Sequence, residues 1–301
     1  MKKITALAIA VAAGAASTAM AGPPSEFLVV PDSSNDILVT FNPFDGSLIN
    51  SSFASIDGGT PKHALQVGSE IWVSNQLNDN IDRFDFNGSL LSTISGGLDN
   101  IKGMEVVGNE VWVTNAGTNN GAPGSSIVKI DIGTATISGF SPTDGSLFDV
   151  VNYQGQVLGT DFSNENLDFY DASGNFVSVF HDSDGVGGID FPQQAFVREN
   201  GGLLVGGFSP PSGVYAYDSA GNEIGIVAGA DGGVRGVYEL GNGNIMWTNG
   251  GGVWVTDPNT GDTSNVYDGG SSQYIDLVRI PTPGAAGLLA LAGLAAARRR
   301  R

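Results

Sequence analysis

An apolar segment that ends in a small polar residue and then Asn or Asp recurs along the chain. Four copies agree closely and two are looser. The close copies are residues 71–75, 111–115, 157–161 and 245–249, and the looser ones are residues 28–32 and 203–207. Similar segments at a period of 20 to 50 residues are typical of a repeat architecture, so the chain is expected to consist of six similar units.

A second recurring position follows each of these segments. It is an Asn or Asp residue with a glycine a few residues downstream. The six residues are Asn42, Asp85, Asp131, Asp171, Asp218 and Asp257, spaced 39 to 47 residues apart. The Asx side chain can accept a hydrogen bond from the backbone two residues later, and the glycine supplies a positive φ. The pattern therefore predicts a β-hairpin in every unit.

A further strand-like segment precedes five of the six units, at residues 63–67, 103–107, 149–153, 195–199 and 236–240. The first unit lacks one, whereas residues 274–280 form an unpaired strand-like segment after the sixth. Four strands per unit predict an all-β, six-bladed β-propeller over residues 22–280, in which the C-terminal strand completes the first blade. The repeats resemble those of YVTN and NHL propellers, a resemblance that bears on fold rather than function.

Composition agrees with this fold and excludes several functions. The 301 residues include 45 Gly and no Cys, and 41% are hydrophobic, which is enough for a packed core. Without thiols the chain can form neither disulfides nor thiolate metal sites. The formal net charge of -18 argues against nucleic acid as a partner, because phosphate binding requires clustered cations.

Both ends of the chain carry cations beside apolar residues. Residues 1–21 have a basic start, an apolar run and small residues at Ala19 and Ala21, before Gly22. This pattern predicts a signal peptide cut by signal peptidase, rather than a buried N-terminal helix, which would carry a polar face. The mature chain is expected to begin at Gly22.

The C-terminal residues 281–301 have three parts: a Pro-Thr-Pro motif, an apolar run and a basic end. The motif is Pro281, Thr282 and Pro283, and the basic end is Arg298, Arg299, Arg300 and Arg301. The fourteen apolar residues between them are short for a roughly 30 Å hydrocarbon core. This tail resembles the PEP-CTERM sorting signal, with Pro-Thr-Pro in place of Pro-Glu-Pro.

The resemblance implies recognition by an exosortase-like enzyme and a transient or tethered membrane contact, with a simple membrane tether as the alternative. It also implies export to the cell envelope, cell surface or extracellular matrix of a Gram-negative-type bacterium.

Once the terminal cations are set aside, seven cations remain in the interior, and three of them align at one position of the inner strands. The aligned residues are Lys62, Lys102, Phe148, Gln194, Arg235 and Tyr274, the last three placed to within one position. His63, Asp149 and Asp276 lie next to this ring in the sequence. One interpretation is a channel mouth at which Lys62, His63, Lys102, Asp149, Gln194 and Arg235 bind an anionic carboxylate, sulfate or uronic acid. The other, the commoner use of such groups, is that Lys102 and Arg235 pair with Asp149, Glu105 or Glu239.

Candidate metal ligands are scattered. Asp182, Asp184 and Asp190 resemble part of a calcium loop that lacks its third Asp and terminal Glu, so calcium is a possible cofactor, and turn formation is the alternative role. His63 and His181 are the only histidines, and they are predicted in different blades. The four Trp residues are predicted to pack between blades rather than to stack on sugars.

The sequence contains no P-loop, nucleophile elbow, dinucleotide fingerprint or HExxH motif. We therefore expect a non-enzymatic binding propeller with a protein or anionic glycan ligand. The alternative is a metal-dependent lactonase, hydrolase or lyase. That alternative follows from a resemblance to gluconolactonase-type propellers, which hold a divalent metal at the channel mouth with Glu, Asn and Asp.

Overall fold

A computed structural model of the protein describes residues 25–183, 188–230 and 232–281. The predicted signal peptide, the predicted sorting tail from Thr282 onward and Asp184 lie outside these residues. The described residues form six antiparallel four-stranded sheets, the blades of a six-bladed β-propeller. The predicted fold is confirmed.

The first three blades follow chain order. Blade 1 contains β1 (Glu26–Asp32), β2 (Ile37–Phe41) and β3 (Leu48–Ser55), and blade 2 contains β4 (Pro61–Val67), β5 (Glu70–Asn75), β6 (Asn80–Phe84) and β7 (Leu90–Ser95). Blade 3 contains β8 (Met104–Val107), β9 (Glu110–Asn115), β10 (Ser126–Asp131) and β11 (Thr136–Pro142), with a 3-10 helix at Asn119–Gly121.

The other three blades repeat the same order from the axis outward. Blade 4 contains β12 (Leu147–Tyr153), β13 (Gln156–Asp161), β14 (Asn166–Tyr170) and β15 (Phe176–Asp182), and blade 5 contains β16 (Asp190–Val197), β17 (Leu203–Ser209), β18 (Gly213–Tyr217) and β19 (Glu223–Ala228). Blade 6 contains β20 (Val237–Glu239), β21 (Ile245–Asn249), β22 (Gly252–Thr256) and β23 (Thr263–Tyr267), and the last strand is β24 (Asp276–Arg279).

Strand β24 closes the ring of blades. It pairs antiparallel with β1, with Val278 opposite Phe27, and so supplies the innermost strand that blade 1 lacks. Closure leaves blade 1 paired like the other five and ties the two ends of the domain together. No helix within the described ranges is long and apolar enough to cross a membrane.

The core lies between neighbouring blades, because the two faces of each sheet pack against the sheets on either side. Trp72 and Trp112 are buried in the clusters around blades 2, 3 and 4. Trp247 stacks on Trp254 with ring centroids 5.6 Å apart. The prediction that the tryptophans pack between blades is confirmed for Trp72, Trp112 and Trp247, the last in the cluster between blades 5 and 6.

The outer hairpins also have the predicted geometry. In blade 2 the Oδ1 atom of Asp85 accepts hydrogen bonds from the backbone N–H groups of Asn87 and Ser89, at 2.9 and 2.8 Å. Gly88 between them has φ 80°, a conformation that an L side chain rarely adopts. Short turns of this kind keep the loops compact, so the inner strands stay at equivalent positions around the axis.

Candidate functional site

One position at or just before the start of each inner strand forms a ring around the channel. In blades 2 and 3 the pairs Ala64–Val73 and Met104–Val113 fix the register, and two residues earlier stand Lys62 and Lys102. The same count in the other blades completes the cation ring: Lys62, Lys102, Phe148, Gln193, Arg235 and Gln273. Gln193 and Gln273 each precede by one residue the Gln194 and Tyr274 of the sequence alignment.

A register irregularity at the start of several inner strands explains this difference. Pairing shifts between Pro61 and His63, between Leu147 and Asp149, and between Pro192 and Ala195. A bulge breaks the strict alternation of side chains, so two consecutive residues can both reach the channel. The residues after the cation ring form a second ring: His63, Gly103, Asp149, Gln194, Gly236 and Tyr274.

Five of the six residues of the cation ring, all except Lys102, line a cavity of about 250 Å³ at one end of the channel. The Lys62 ammonium donates to the amide oxygens of Gln273 at 2.8 Å and Gln193 at 3.4 Å. The Arg235 guanidinium hydrogen-bonds Ser271 Oγ and lies over the Phe208 ring, 5.6 Å from its centroid. We call this cavity the cationic mouth.

Aromatic rings lie close to the ammonium groups of Lys62 and Lys102. Phe148 lies 5.3 Å from the Lys62 Nζ and 4.9 Å from the Lys102 Nζ, measured to its ring centroid. Lys102 also donates to the Asn100 carbonyl oxygen at 3.2 Å and lies 5.6 Å from the Phe162 ring. Cation–π contacts of this type stabilise a desolvated ammonium without neutralising it.

None of the ion pairs in the described ranges joins these cations to a carboxylate. Glu239 pairs with Arg198 instead, and Glu105 accepts hydrogen bonds from the backbone N–H groups of Val106 and Asn152. The expected pairing of Lys102 and Arg235 with Asp149, Glu105 or Glu239 is therefore wrong. The bulges place the acids one or more residues deeper along the channel than the cations.

Burial and neighbouring cations disfavour the charged form of Lys62, and burial disfavours that of Lys102. Burial, together with the nearby charges of Arg235 and Lys102, holds the pKa of Lys62 well below its usual value. Burial lowers the pKa of Lys102 to about 8. Like charges held together away from water favour a bound anion, which would relieve both effects.

Tyr274 fills the channel below the cationic mouth. It is fully buried, its ring lies 5.1 Å from the Lys62 Nζ, and its hydroxyl donates to the Phe148 carbonyl oxygen at 3.3 Å. The His63 ring packs edge-on against it, with centroids 5.6 Å apart. Tyr274 therefore separates the cationic mouth from a second cavity.

The second cavity, of about 210 Å³, is lined by three of the predicted site residues, His63, Asp149 and Gln194. Of the other three predicted ligand-binding residues, Lys62 and Arg235 line the cationic mouth, and Lys102 lines neither cavity. Both polar atoms of the Gln194 side-chain amide form hydrogen bonds. The Nε2 donates to the Ile275 carbonyl oxygen, and the Oε1 accepts from the backbone N–H groups of Val237 and Ile275. Gln194 joins three inner strands.

Sequence reasoning missed several residues of both cavities. Gln193, Gln273 and Phe208 line the cationic mouth, and Phe196 and Tyr238 line the second cavity. Counting back along the segments Gln193-Gln194-Ala195 and Gln273-Tyr274-Ile275 with a bulge allowed would have found the two glutamines. Phe208 comes from the strand next to the innermost one, which inner-strand alignment does not reach.

Two of the three candidate calcium ligands lie within the described residues. Asp182 ends β15 and Asp190 begins β16, and Asp184 lies outside the described residues. Within residues 25–183, 188–230 and 232–281 no three His, Asp or Glu side chains are placed to hold a metal ion. The cationic mouth also presents ammonium and guanidinium groups where the gluconolactonase resemblance implies carboxylate ligands. The residues present do not fit that metal.

Solved structures with different activities share this architecture. A chain of the nidogen–laminin complex has a TM-score of 0.68 at 12% identity and covers 84% of this chain and 98% of that chain. A Bacteroides caccae protein of unknown function gives 0.60 at 13% identity, covering 85% and 100%. The chain is a six-bladed β-propeller.

A third similar structure is an enzyme. Catalytically inactive virginiamycin B lyase from Staphylococcus aureus, with quinupristin, gives a TM-score of 0.56 at 12% identity and covers 78% of each chain. No protein-family model and no curated protein matches this sequence. At identities this low, the structural similarity establishes the fold alone. The neighbours include both a chain of a protein complex and a lyase, so function has to be argued from the site.

Proposed function

We propose that this propeller is a binding protein whose cationic mouth holds the carboxylate of an acidic glycan. The observation that carries the proposal is that Lys62 and Arg235 line one cavity and have no carboxylate partner among the described residues. In a domain whose chain has a net charge of -18, cations left unpaired at a buried ring are costly unless a ligand pairs with them. A bound anion supplies that partner.

The shape and the lining of the mouth favour a uronic acid. A cavity of about 250 Å³ corresponds to about eight water volumes of roughly 30 Å³ each, enough for one monosaccharide. The carboxylate would accept hydrogen bonds from Lys62 and Arg235. The apolar face of the sugar would lie on the ring of Phe148 or Phe208. The side-chain amides of Gln193 and Gln273 would contact the sugar hydroxyls.

The test is calorimetric titration with galacturonate. Arg235→Gln and Lys62→Met should each weaken binding by more than tenfold, because truncating one partner of a buried charge pair typically costs about 2–5 kcal/mol. Arg279→Gln removes the same charge from a side chain that is 71% exposed, beyond the far end of the channel. This control should bind within twofold of the wild type.

Alkaline pH should weaken the same binding. The anion prefers protonated lysines, and their charge is lost as the pH rises through the pKa of about 8 at Lys102 and through the lowered pKa of Lys62. Equal affinities at pH 7 and pH 10, or equal losses in Arg235→Gln and Arg279→Gln, would show that the anion binds elsewhere.

We further propose that residues 1–21 direct export and that an exosortase-like enzyme recognises residues 281–301, which places the propeller at the cell envelope, the cell surface or in the extracellular matrix. The basic start with an apolar run, and the Pro-Thr-Pro motif with its arginine end, support this.

N-terminal sequencing of the exported protein should begin at Gly22. Ala21→Leu should leave the precursor uncut, because the cleavage site requires a small residue, whereas Ala12→Leu in the apolar run should be processed normally. Exported protein that still begins at Met1 would contradict the proposal.

A further inference from the structure

The cavity at the far end of the channel has the opposite character to the cationic mouth. It is built largely from a third ring, two residues beyond His63 and its equivalents: Leu65, Glu105, Val151, Phe196, Tyr238 and Asp276. With Asp149 from the ring above, three carboxyl groups from three different blades share about 210 Å³. We call this cavity the acidic end.

These three carboxyl groups lack cationic partners in the described ranges. Glu105, Asp149 and Asp276 appear in none of the ion pairs there, and Oδ1 of Asp149 has no hydrogen-bond partner. Burial raises the pKa of Glu105 and that of Asp276 to about 7 and the pKa of Asp149 well above its usual value, and the nearby charge of Glu105 raises the pKa values of Asp149 and Asp276 further. The charge of Arg279 lowers the pKa of Asp276, but Arg279 is largely exposed and its Nε lies 3.6 Å from the Glu26 Oε2.

His63 adds an independent, unsatisfied group. Its Nδ1 accepts the backbone N–H of Met104 at 3.0 Å, so in the neutral ring the proton sits on Nε2. Burial lowers the pKa of His63 to about 3, which keeps the ring neutral at pH 7. The side chain is 4% exposed and lines the acidic end, yet its Nε2 has no partner. A buried donor without an acceptor is costly, so the cavity lacks an acceptor at this atom.

The spacing of these groups suits an organic cation better than a metal ion. No three acidic or histidine side chains in the described ranges are placed to hold one metal ion. Phe196 and Tyr238 pack together beside them, with ring centroids 4.7 Å apart, and present aromatic surface to the same cavity. Aromatic faces and carboxylates together are the surroundings that an ammonium group prefers.

We propose that the acidic end binds a small hydroxylated primary amine. Its ammonium group would lie among Glu105, Asp149 and Asp276, and its hydroxyl oxygen would accept the His63 Nε2–H. About 210 Å³ corresponds to about seven water volumes, which limits the ligand to a small amino alcohol or one amino-sugar unit. The site is independent of the cationic mouth, because Tyr274 closes the channel between them.

The probe is 2-amino-1,3-propanediol, compared with glycerol, in which a hydroxyl replaces the amine. Calorimetry on the full-length protein at pH 7.5 should show binding of the amine and at least tenfold weaker binding of glycerol. Binding should release protons near pH 7 and tighten from pH 6 to pH 8, because the ammonium favours ionised acids whose pKa values lie near 7.

Glu105→Gln combined with Asp276→Asn should abolish amine binding. These changes preserve shape and remove partly buried acids that lack an ion-paired cation, so the melting temperature should hold or rise, which separates loss of the site from loss of the fold. Arg235→Gln, at the other end, should bind the amine normally. The proposal is overturned if the wild type does not bind the amine, if glycerol binds equally well, or if the double variant keeps its affinity.

Discussion

Val278→Asp is expected to destabilise the propeller by about 3–5 kcal/mol, because it places a charge in the buried seam that closes the ring. Val278 is fully buried in the cluster between blades 1 and 2 and lies in the closing strand β24. The change removes about 2 kcal/mol of apolar burial and leaves a carboxyl group there without a partner, at a further cost of about 1–3 kcal/mol. A thermal melt should show a midpoint lower by about 10 °C.

The matched control is Ile224→Asp in β19. Ile224 also carries a β-branched side chain in a strand, but it is 65% exposed, so the same new charge stays in water. We expect a change within about 0.5 kcal/mol. If the two variants have the same melting temperature, burial of Val278 in the seam closed by β24 does not contribute to stability as we propose.

Gly103→Ala is expected to cost about 1–3 kcal/mol because it forces two inner strands apart. The N–H of Gly103 donates to the Phe148 carbonyl oxygen at 2.9 Å, which joins blades 3 and 4 at the axis. A Cβ at this position would lie 2.6 Å from the Asp149 Cα and 2.8 Å from the Phe148 oxygen, and these are backbone atoms that cannot swing away. Denaturant melts should show a lower midpoint with an unchanged slope.

Gly139→Ala in β11 provides the comparison for that variant. A Cβ at Gly139 would meet no atom within 4 Å, so the change should be neutral or slightly stabilising, as Ala usually is in place of Gly in a regular strand. Equal destabilisation of the two variants would mean that backbone entropy, not the contact between blades, sets the effect.

The fold was predictable because the period of a propeller is visible in its sequence. The segments ending at Asn75 and Asn115 recur with their hairpin turns, and the orphan strand near Val278 has one place to pair. Each of these features depends on local turn chemistry and on apolar strands, which short stretches of sequence specify.

The candidate site was predictable only in part, because bulges decide which side chains enter the channel. Alignment found Lys62, Lys102 and Arg235, yet it combined them with His63 and Asp149, which lie one residue further on and on the other side of Tyr274. Strict alternation in a strand would send consecutive residues to opposite faces. The pairing shifts at the starts of the inner strands depend on contacts between blades, and these are not visible in one strand.

The acidic end was missed for the same reason. Glu105 and Asp276 belong to different blades, lie far apart in the chain and face one cavity only after β24 closes the ring. A carboxylate in a short strand, taken alone, is typical of a solvated edge residue. Only the closed ring of blades brings three carboxyl groups into one cavity, and none of them forms an ion pair within the described residues.

The central claim, that the cationic mouth binds a carboxylated sugar, is tested most directly by titrating the wild-type protein with galacturonate and with galactose at pH 7. The two sugars differ only in the carboxylate that Lys62 and Arg235 would hold. The structure predicts that galacturonate binds at least tenfold more tightly than galactose, since charge-assisted hydrogen bonds to a carboxylate are each worth about 1.5–3 kcal/mol. Equal affinities, or no binding of galacturonate, would contradict it.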